Sequence, residues 1–404
     1  MDVTESIRIA LDILIIYWWV YIPVFLFWLL VDVWGKYNRA KYVSSLKWVV
    51  LRIKFPREIA ASFKAMEQVF ANIHGAYAKD IDWDDKFFRG KSVDWFSFEL
   101  TGSNGEASFY IRTLEGHRNL VESAIYAQYP EAEVSEAADY SESFQGEVPN
   151  DEYDMFGMEL VFVEEDYYPI RTYTYFEEVS GGPRVPRVDP LASLSELLGS
   201  LKIGEHIWIQ FVLEPTGSDW TKDADKKIEE LTKGEEPEGD EAPKFKSISP
   251  KDREIAKGII DKTSKIGFNA TIRWVYIAKK DIFSKAMGAA ISGMFRQFSA
   301  QNLNGFKPER STVPKTGWPL NFMRNWPLKL IPYPWEKSGM YFKKKKLFEN
   351  YVDRSLGDKT IILNIEELTT MYHLPSIEVK APLLERIEAR KGTPPPSLPV
   401  KENE

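Results

Sequence analysis

The sequence has no cysteine and only four histidines among its 404 residues. The lack of cysteine excludes disulfide bonds, thiolate metal sites and cysteine nucleophiles. The four histidines are scattered along the chain without HExxH or zinc-site spacing, and the serines form no nucleophile elbow. The sequence therefore predicts a non-enzymatic protein with no catalytic residue, no metal site and no cofactor.

Charge is absent between residues 13 and 31, where the sequence reads ILIIYWWVYIPVFLFWLLV. As a helix this run is about 28 Å long, close to the thickness of a hydrocarbon core, and membrane helices tolerate a proline such as Pro23 as a kink. A buried core helix fits so long and aromatic a run poorly. A cleaved signal peptide would need a basic start, a shorter apolar region and a small-residue cleavage site. We therefore expect one transmembrane helix over 13–31.

Basic residues follow this run, including Lys36, Arg39 and Lys41, whereas acidic residues predominate before it. The positive-inside rule then places residues 1–12 outside the cell, residues 32–45 in a basic juxtamembrane linker and the rest of the chain in the cytoplasm. The predicted localisation is the cytoplasmic (inner) membrane, crossed once, with the N-terminus outside.

The rest of the chain has the composition of a folded body: 44% of all residues are hydrophobic, 28% are charged and the net charge is −8. Residues 46–150 show the β-α-β-β-α-β order of a ferredoxin-like domain. Residues 155–375 again alternate strands, including one predicted at Ile170–Glu177, with helices. The predicted fold class is α+β, with one N-terminal transmembrane helix followed by two ferredoxin-like two-layer α/β sandwich domains.

Three segments lack helix or strand periodicity. Residues 233–248 form an acidic insertion rich in Gly and Pro, residues 307–342 a Trp/Pro-rich loop, and residues 376–404 a Pro-rich tail that we expect to be disordered.

Two charged motifs suggest chemistry that their context does not support. Arg89-Gly90-Lys91-Ser92 is similar to the end of a phosphate loop, but Asp85 stands where the first glycine is required and a strand, not a helix, is predicted to follow. Residues 131–166 contain thirteen Asp and Glu and no Lys or Arg, without calcium-loop spacing. We interpret this acidic stretch as a solvated loop that repels anions.

Residues 273–346 have the opposite charge, with fifteen Lys and Arg against three acidic residues. Three interpretations stay open: contact with anionic lipid headgroups, contact with nucleic-acid phosphate, and solvation with pairing to the acidic stretch. The candidate contact residues for lipid or nucleic acid are Arg273, Lys279, Lys280, Arg296, Lys343, Lys344, Lys345 and Lys346.

Several stretches between about residue 46 and residue 399 carry a family resemblance. They are KAMEQVF at 64–70, YAQYPEA at 126–132, GEHIWIQ at 204–210, QNLNGFK at 301–307, LNIEEL at 363–368, MYHLP at 371–375, and the Pro-rich tail. They resemble a family of membrane-anchored proteins linked to type IV secretion and conjugation-like DNA translocation. In that family an N-terminal α+β region precedes, or partners, an FtsK/HerA-type motor ATPase.

In fused members of that family, a Leu-Tyr/Trp-His-x-Pro segment and a Pro-rich linker lead into a Walker-bearing motor, whereas this sequence contains no phosphate loop. The resemblance therefore implies an anchoring or assembly subunit that docks a separately encoded P-loop motor ATPase. The expected partners are a lipid bilayer and that ATPase, with DNA and a second copy of the chain as further candidates. The alternatives are a membrane-tethered nucleic-acid-binding protein that acts without a motor, a membrane protein of another function, and an enzyme with an unrecognised site.

Overall fold

A computed structural model describes the chain in eight segments: residues 16–56, 62–77, 81–144, 148–179, 189–232, 249–314, 334–374 and 386–387. The predicted extracytoplasmic residues 1–12, the acidic insertion 233–248, the middle of the predicted loop 307–342 and all but two residues of the tail 376–404 lie outside these segments.

The described residues form helices and strands in alternation. The helices are α1 (Trp18–Ser45), α2 (Phe63–Ile73), α3 (Trp83–Phe88), α4 (Arg118–Gln128), α5 (Tyr173–Val179), α6 (Ala192–Gly199), α7 (Thr221–Thr232), α8 (Pro250–Thr263), α9 (Lys285–Arg296), α10 (Pro334–Val352) and α11 (Ile365–Met371). The strands are β1 (Trp48–Pro56), β2 (Phe96–Ser103), β3 (Glu106–Leu114), β4 (Glu133–Glu136), β5 (Tyr153–Phe162), β6 (Glu205–Pro215), β7 (Gly267–Lys279), β8 (Phe306–Pro308), β9 (Ile361–Asn364) and β10 (Arg386–Ile387). The protein is thus a mixed α/β protein with an N-terminal apolar helix.

The chain divides into two units. Helices α1 and α3 belong to a small unit formed by Met1–Lys47 and Ala78–Asp94, and the sheet and all other helices belong to a larger unit formed by Trp48–Tyr77 and Trp95–Glu404. We call the larger unit the body.

One ten-stranded sheet runs through the body in the order β10-β1-β3-β2-β6-β7-β5-β8, with β4 paired to β1 and β9 paired to β7. All pairings are antiparallel except that of β1 with β10. The strands predicted for two separate domains therefore lie in a single sheet, because β2 pairs with β6 over eight residues from Phe96–Leu213 to Ser103–His206.

The order of pairing is the same in both halves of the sheet. In the first half the order is β4-β1-β3-β2, and in the second it is β8-β5-β7-β6, so that the first and third strands of each half are neighbours in the middle. The second strand of each half, β2 or β6, forms the junction. The halves differ in that the β6–β7 connection contains α7 and α8.

One face of the sheet is apolar and covered by helices. Alternate residues of the central strands, such as Phe98, Phe211 and Trp274, point to this face because side chains alternate along a strand. They pack with the apolar stripes of helices α2, α4, α6, α9 and α11, and this cluster forms the main core. In α2 the stripe follows the helical spacing of Phe63, Met66, Phe70 and Ile73, of which Phe70 and Ile73 are fully buried.

The opposite face carries both polar and apolar side chains, and these too are buried. Helix α10 packs there through Leu347, Phe348 and Tyr351 against Trp208 and other strand residues. The sequence predicts a loop over 307–342, and the structure corrects its C-terminal part, because α10 begins at Pro334. A second correction concerns the strand predicted at Ile170–Glu177, where the structure has helix α5.

Candidate functional site

Helix α1 is the first candidate for function. Among the described residues it is the one helix long and apolar enough to cross a membrane, and none of its apolar window is buried. Its exposed side chains include Trp19 and Trp28, each more than 60% exposed. In water such a surface would be costly, whereas a bilayer matches it.

The basic residues predicted to contact lipid or nucleic acid do not share one surface. Arg273 is wrong as a contact residue, because it is 0% exposed on the polar face of β7. Its Nε donates to Glu159 at 2.9 Å and its Nη1 donates to Gln210 at 2.7 Å. A guanidinium enclosed in this way reaches neither a headgroup nor a phosphate.

Other basic side chains pair with the acidic stretch 131–166. Lys279 lies 3.1 Å from Glu152, and Lys344 lies 2.6 Å from Asp154. Together with Arg273–Glu159, these pairs support the third interpretation of the basic region, in which it neutralises the acidic stretch. The acidic stretch is also not a loop throughout, because it contains β4 and β5.

The rest of the candidate set is distributed over the surface. Lys280, Arg296 and Lys346 are exposed. Lys343 is half-buried and donates to the carbonyl of Val313 at 3.4 Å, and Lys345 is half-buried as well.

Lys280 and Lys344 border an open cleft of about 530 Å³. The other residues of the cleft are Pro149, Asn150, Asp151, Asp154, Met340 and Tyr341. Two carboxylates here face two ammonium groups, so the cleft has no excess positive charge with which to attract an anion.

A row of buried polar side chains crosses four strands behind α10. Glu99, Gln210, Arg273 and Glu159 lie opposite one another in β2, β6, β7 and β5. Gln210 bridges the two halves, because its amide donates to Glu99 at 3.1 Å while its oxygen accepts from Arg273. Arg273 also donates to the carbonyl of Asn350 at 2.8 Å, which ties the end of α10 to the sheet.

A second arginine completes this polar row. Arg354, 0% exposed, donates from Nε to Glu99 at 2.9 Å and from Nη1 and Nη2 to Asp139 at 2.6 and 2.8 Å. Burial alone would raise the pKa of Asp139, but the hydrogen bonds and charge of Arg354 outweigh it and lower that pKa. Tyr140 and Tyr351 share a 2.7 Å hydrogen bond beside Glu99, and burial raises both of their pKa values well above the usual range.

Arg354 and the polar row could not be predicted from the sequence. Glu99 occupies the outward position of an alternating strand, which predicts a solvated carboxylate, and Arg354, which neutralises it, lies 255 positions away. The spacing of Leu347, Phe348 and Tyr351 is typical of the apolar face of a helix, so the sequence does indicate the helix that covers the polar row.

A second cleft, of about 450 Å³, lies between α8, the segment before α5 and the start of α11. Four of its charged groups are paired: Lys262 lies 3.1 Å from Glu367, both fully buried, and Lys265 bonds to Glu366. Burial lowers the pKa of Lys262 and raises that of Glu367, each partly opposed by the charge of the other. Because these charged groups neutralise each other, they favour a structural role over binding of a charged ligand.

His373 is buried just after the end of α11. Its Nδ1 lies 2.8 Å from the carbonyl of Thr369 and its Nε2 lies 3.0 Å from Asp189. Within the described part of the chain, no group of three or more His, Asp or Glu side chains could hold a metal ion.

Comparison with known proteins shows the family. The chain matches, over residues 45–385, the family model described as "Domain of unknown function (DUF8128)", and it belongs to that family. No curated protein matches the chain. The matched region begins at the last residue of α1 and covers strands β1 to β9.

Proposed function

We propose that this member of the DUF8128 family is a single-pass protein of the cytoplasmic membrane whose body is a non-enzymatic docking platform. In this proposal α1 crosses the bilayer with its N-terminus outside, and the body lies in the cytoplasm. The body docks a separately encoded P-loop motor ATPase in a type IV secretion-like DNA translocation machine.

The observation that carries the proposal is the exposed apolar surface of α1. Its uncharged run matches the hydrocarbon core in length, and Lys36, Arg39 and Lys41 follow it on the side assigned to the cytoplasm. The docking role rests on the sequence resemblance to proteins that precede or partner a motor ATPase.

The joined sheet and the polar row would make the body a rigid docking platform. We interpret its halves, β1–β4 and β5–β8, as two ferredoxin-like modules joined edge to edge through β2 and β6. The polar row fixes α10 across that junction, and its charges are satisfied internally. Such a body offers a partner a surface that does not have to reorganise on binding, which lowers the cost of association.

The test is copurification. The full chain, extracted from its native membrane in mild detergent, should recover a P-loop ATPase, whereas an unrelated single-pass protein of similar abundance should not. If repeated preparations with the chain intact recover no ATPase, docking of a motor is wrong.

A second function, binding of nucleic acid without a motor, would depend on Lys280, Arg296 and Lys346, which are the exposed members of the predicted basic set. If all three contact phosphates, the logarithm of the affinity for double-stranded DNA should fall against the logarithm of the salt concentration with a slope of about −2.7. Filter binding with the detergent-solubilised full chain measures this slope. The triple variant Lys280→Gln, Arg296→Gln, Lys346→Gln should then abolish this salt dependence, and binding unchanged by that variant would exclude these three residues as phosphate contacts.

A further inference from the structure

Helix α3 exposes an unusual amount of aromatic surface for its length. Three of its six residues are aromatic, and Trp83 is 67% and Phe88 57% exposed. The rings of Trp83 and Phe87 stack at 5.3 Å, and those of Phe87 and Phe88 meet edge to face at 5.2 Å. The three rings form one cluster, which we call the α3 aromatic cluster.

The α3 aromatic cluster is fixed to α1. Asn38, the one buried residue of α1 among those described, donates from Nδ2 to the carbonyl of Phe87 at 3.1 Å. Gly90 follows α3 with a φ of +68°, and a Cβ there would lie 2.3 Å from the backbone of Asn38. A glycine is required at this position both for the backbone conformation and for the close approach.

Asp85 holds the turn between α3 and Gly90 in place. It accepts from Arg89 and from Lys91, each at 2.7 Å, and its carbonyl accepts from the backbone N–H of Lys91 at 3.0 Å. The residues that resemble a phosphate loop therefore serve to dock α3 on α1.

The direction of the chain places the α3 aromatic cluster on the membrane side of this contact. Gly90 lies against the backbone of Asn38 and Arg39, whereas the carbonyl of Phe87 is bonded by the end of the Asn38 side chain. Side chains of a helix tilt towards its N-terminus, which in α1 is the direction of the apolar run, so the chain from Gly90 back to Phe87 leads towards the bilayer.

The contact between α3 and α1 lies just outside the membrane interface, so rings on its membrane side reach that layer. Asn38 is seven residues beyond Val31, or about 10 Å along a helix. The interfacial layer outside the hydrocarbon core is roughly 5–8 Å thick on each side. Trp34 and Tyr37 of α1, both exposed, lie between the end of the apolar run and Asn38, so the cluster extends an aromatic surface already present on α1.

We propose that the α3 aromatic cluster is a second membrane contact, inserted into the interfacial region of the cytoplasmic leaflet beside α1. Trp83 and Phe88 bury their rings among the headgroups and upper acyl chains, as the aromatic residues of interfacial belts do. Because α3 is docked rigidly on α1, this contact fixes the rotation and tilt of α1 at the membrane. The inference rests on the proposed membrane span of α1.

The chain has no cysteine, so a single introduced cysteine can carry an environment-sensitive fluorophore such as NBD. Three variants of the full chain are purified in detergent and reconstituted into vesicles of phosphatidylcholine and phosphatidylglycerol. Phe88→Cys probes the α3 aromatic cluster, Lys86→Cys probes an exposed charged position on the same helix, and Phe27→Cys probes the span. Quenching is measured with nitroxide-labelled lipid and with aqueous iodide.

We expect the label at position 88 to show blue-shifted emission that nitroxide lipid quenches and iodide does not, and the label at position 86 to show the reverse. A label at 88 that is quenched by iodide, with the label at 27 protected, overturns the inference and leaves the membrane span intact. Labels at 27 and 88 both open to iodide would refute the span as well. Trp83→Cys repeats the test at the other exposed ring in case the change at position 88 disturbs α3.

Discussion

The replacement Arg354→Met tests whether the buried polar row holds α10 and the residues that follow it on the sheet. The methionine keeps much of the side-chain volume but removes the bonds to Glu99 and Asp139. Glu99, 0% exposed, would keep only neutral donors such as Ser97 and Tyr140. Removing one partner of a buried ion pair costs about 3–5 kcal/mol, because the remaining charge has no counterion and little water.

Arg118→Met is the matched control. Arg118 also binds two carboxylates, those of Glu122 and Glu136, but it lies at the surface, where such pairs contribute about 0–1 kcal/mol. The free energy of unfolding is measured for the full chain in detergent micelles by urea titration, followed by tryptophan emission. The double variant Arg354→Met, Glu99→Gln should recover part of the loss, because the fully buried side chain at position 99 is then neutral, while Asp139 keeps the hydrogen bonds from Ser141. If Arg354→Met destabilises no more than Arg118→Met, the polar row does not stabilise this face.

Two further predictions concern the body. Gly157→Ala should destabilise it by about 1–3 kcal/mol, because the new Cβ would lie 2.4 Å from the carbonyl oxygen of Trp274. Gly293→Ala, on the open side of α9, should instead stabilise the helix by about 0.5–1 kcal/mol. Equal effects of the two changes in urea titration would contradict this prediction. Burial lowers the pKa of His206 from the ordinary 6.5 to about 4. Between these two pH values the unfolded chain binds a proton that the folded chain does not. The free energy of unfolding must therefore fall as the pH falls through this window. From pH 7 to pH 5 the loss should be about 1–2 kcal/mol larger than in His206→Asn, and equal losses would show that His206 does not contribute.

The strands of the body could be predicted where apolar periodicity was strong. The apolar and β-branched residues of Lys47–Phe55 and of Phe268–Ala278 predict strands, and the structure has β1 and β7 at these positions. The predicted strand Ile170–Glu177 is wrong. Its alternating Tyr and Thr residues fit a strand equally well, but α5 packs there against α11, with the N–H of Tyr173 bonded to Thr370. Local propensity does not resolve such a segment, since tertiary contacts decide it.

The junction of the two halves could not be predicted. It depends on the pairing of β2 with β6, which are about 100 residues apart, and the alternation of either strand is equally compatible with an exposed edge. Arg273 was assigned to a contact surface for the same reason, because the partner that buries it lies 114 positions away in sequence. Composition gives the number of charges in the chain but not which of them neutralise one another across the sheet.

The central claim is that α1 anchors the protein in a membrane, and flotation of alkaline-washed membranes tests it most directly. The full chain should float with the lipid through a density gradient, since its uncharged run remains in the bilayer at high pH. The double variant Val20→Arg, Val24→Arg should stay in the dense soluble fraction, because each arginine near the middle of the span costs about 2.5–3.5 kcal/mol. An unaltered chain released into the soluble fraction would contradict the anchor and, with it, the proposed function.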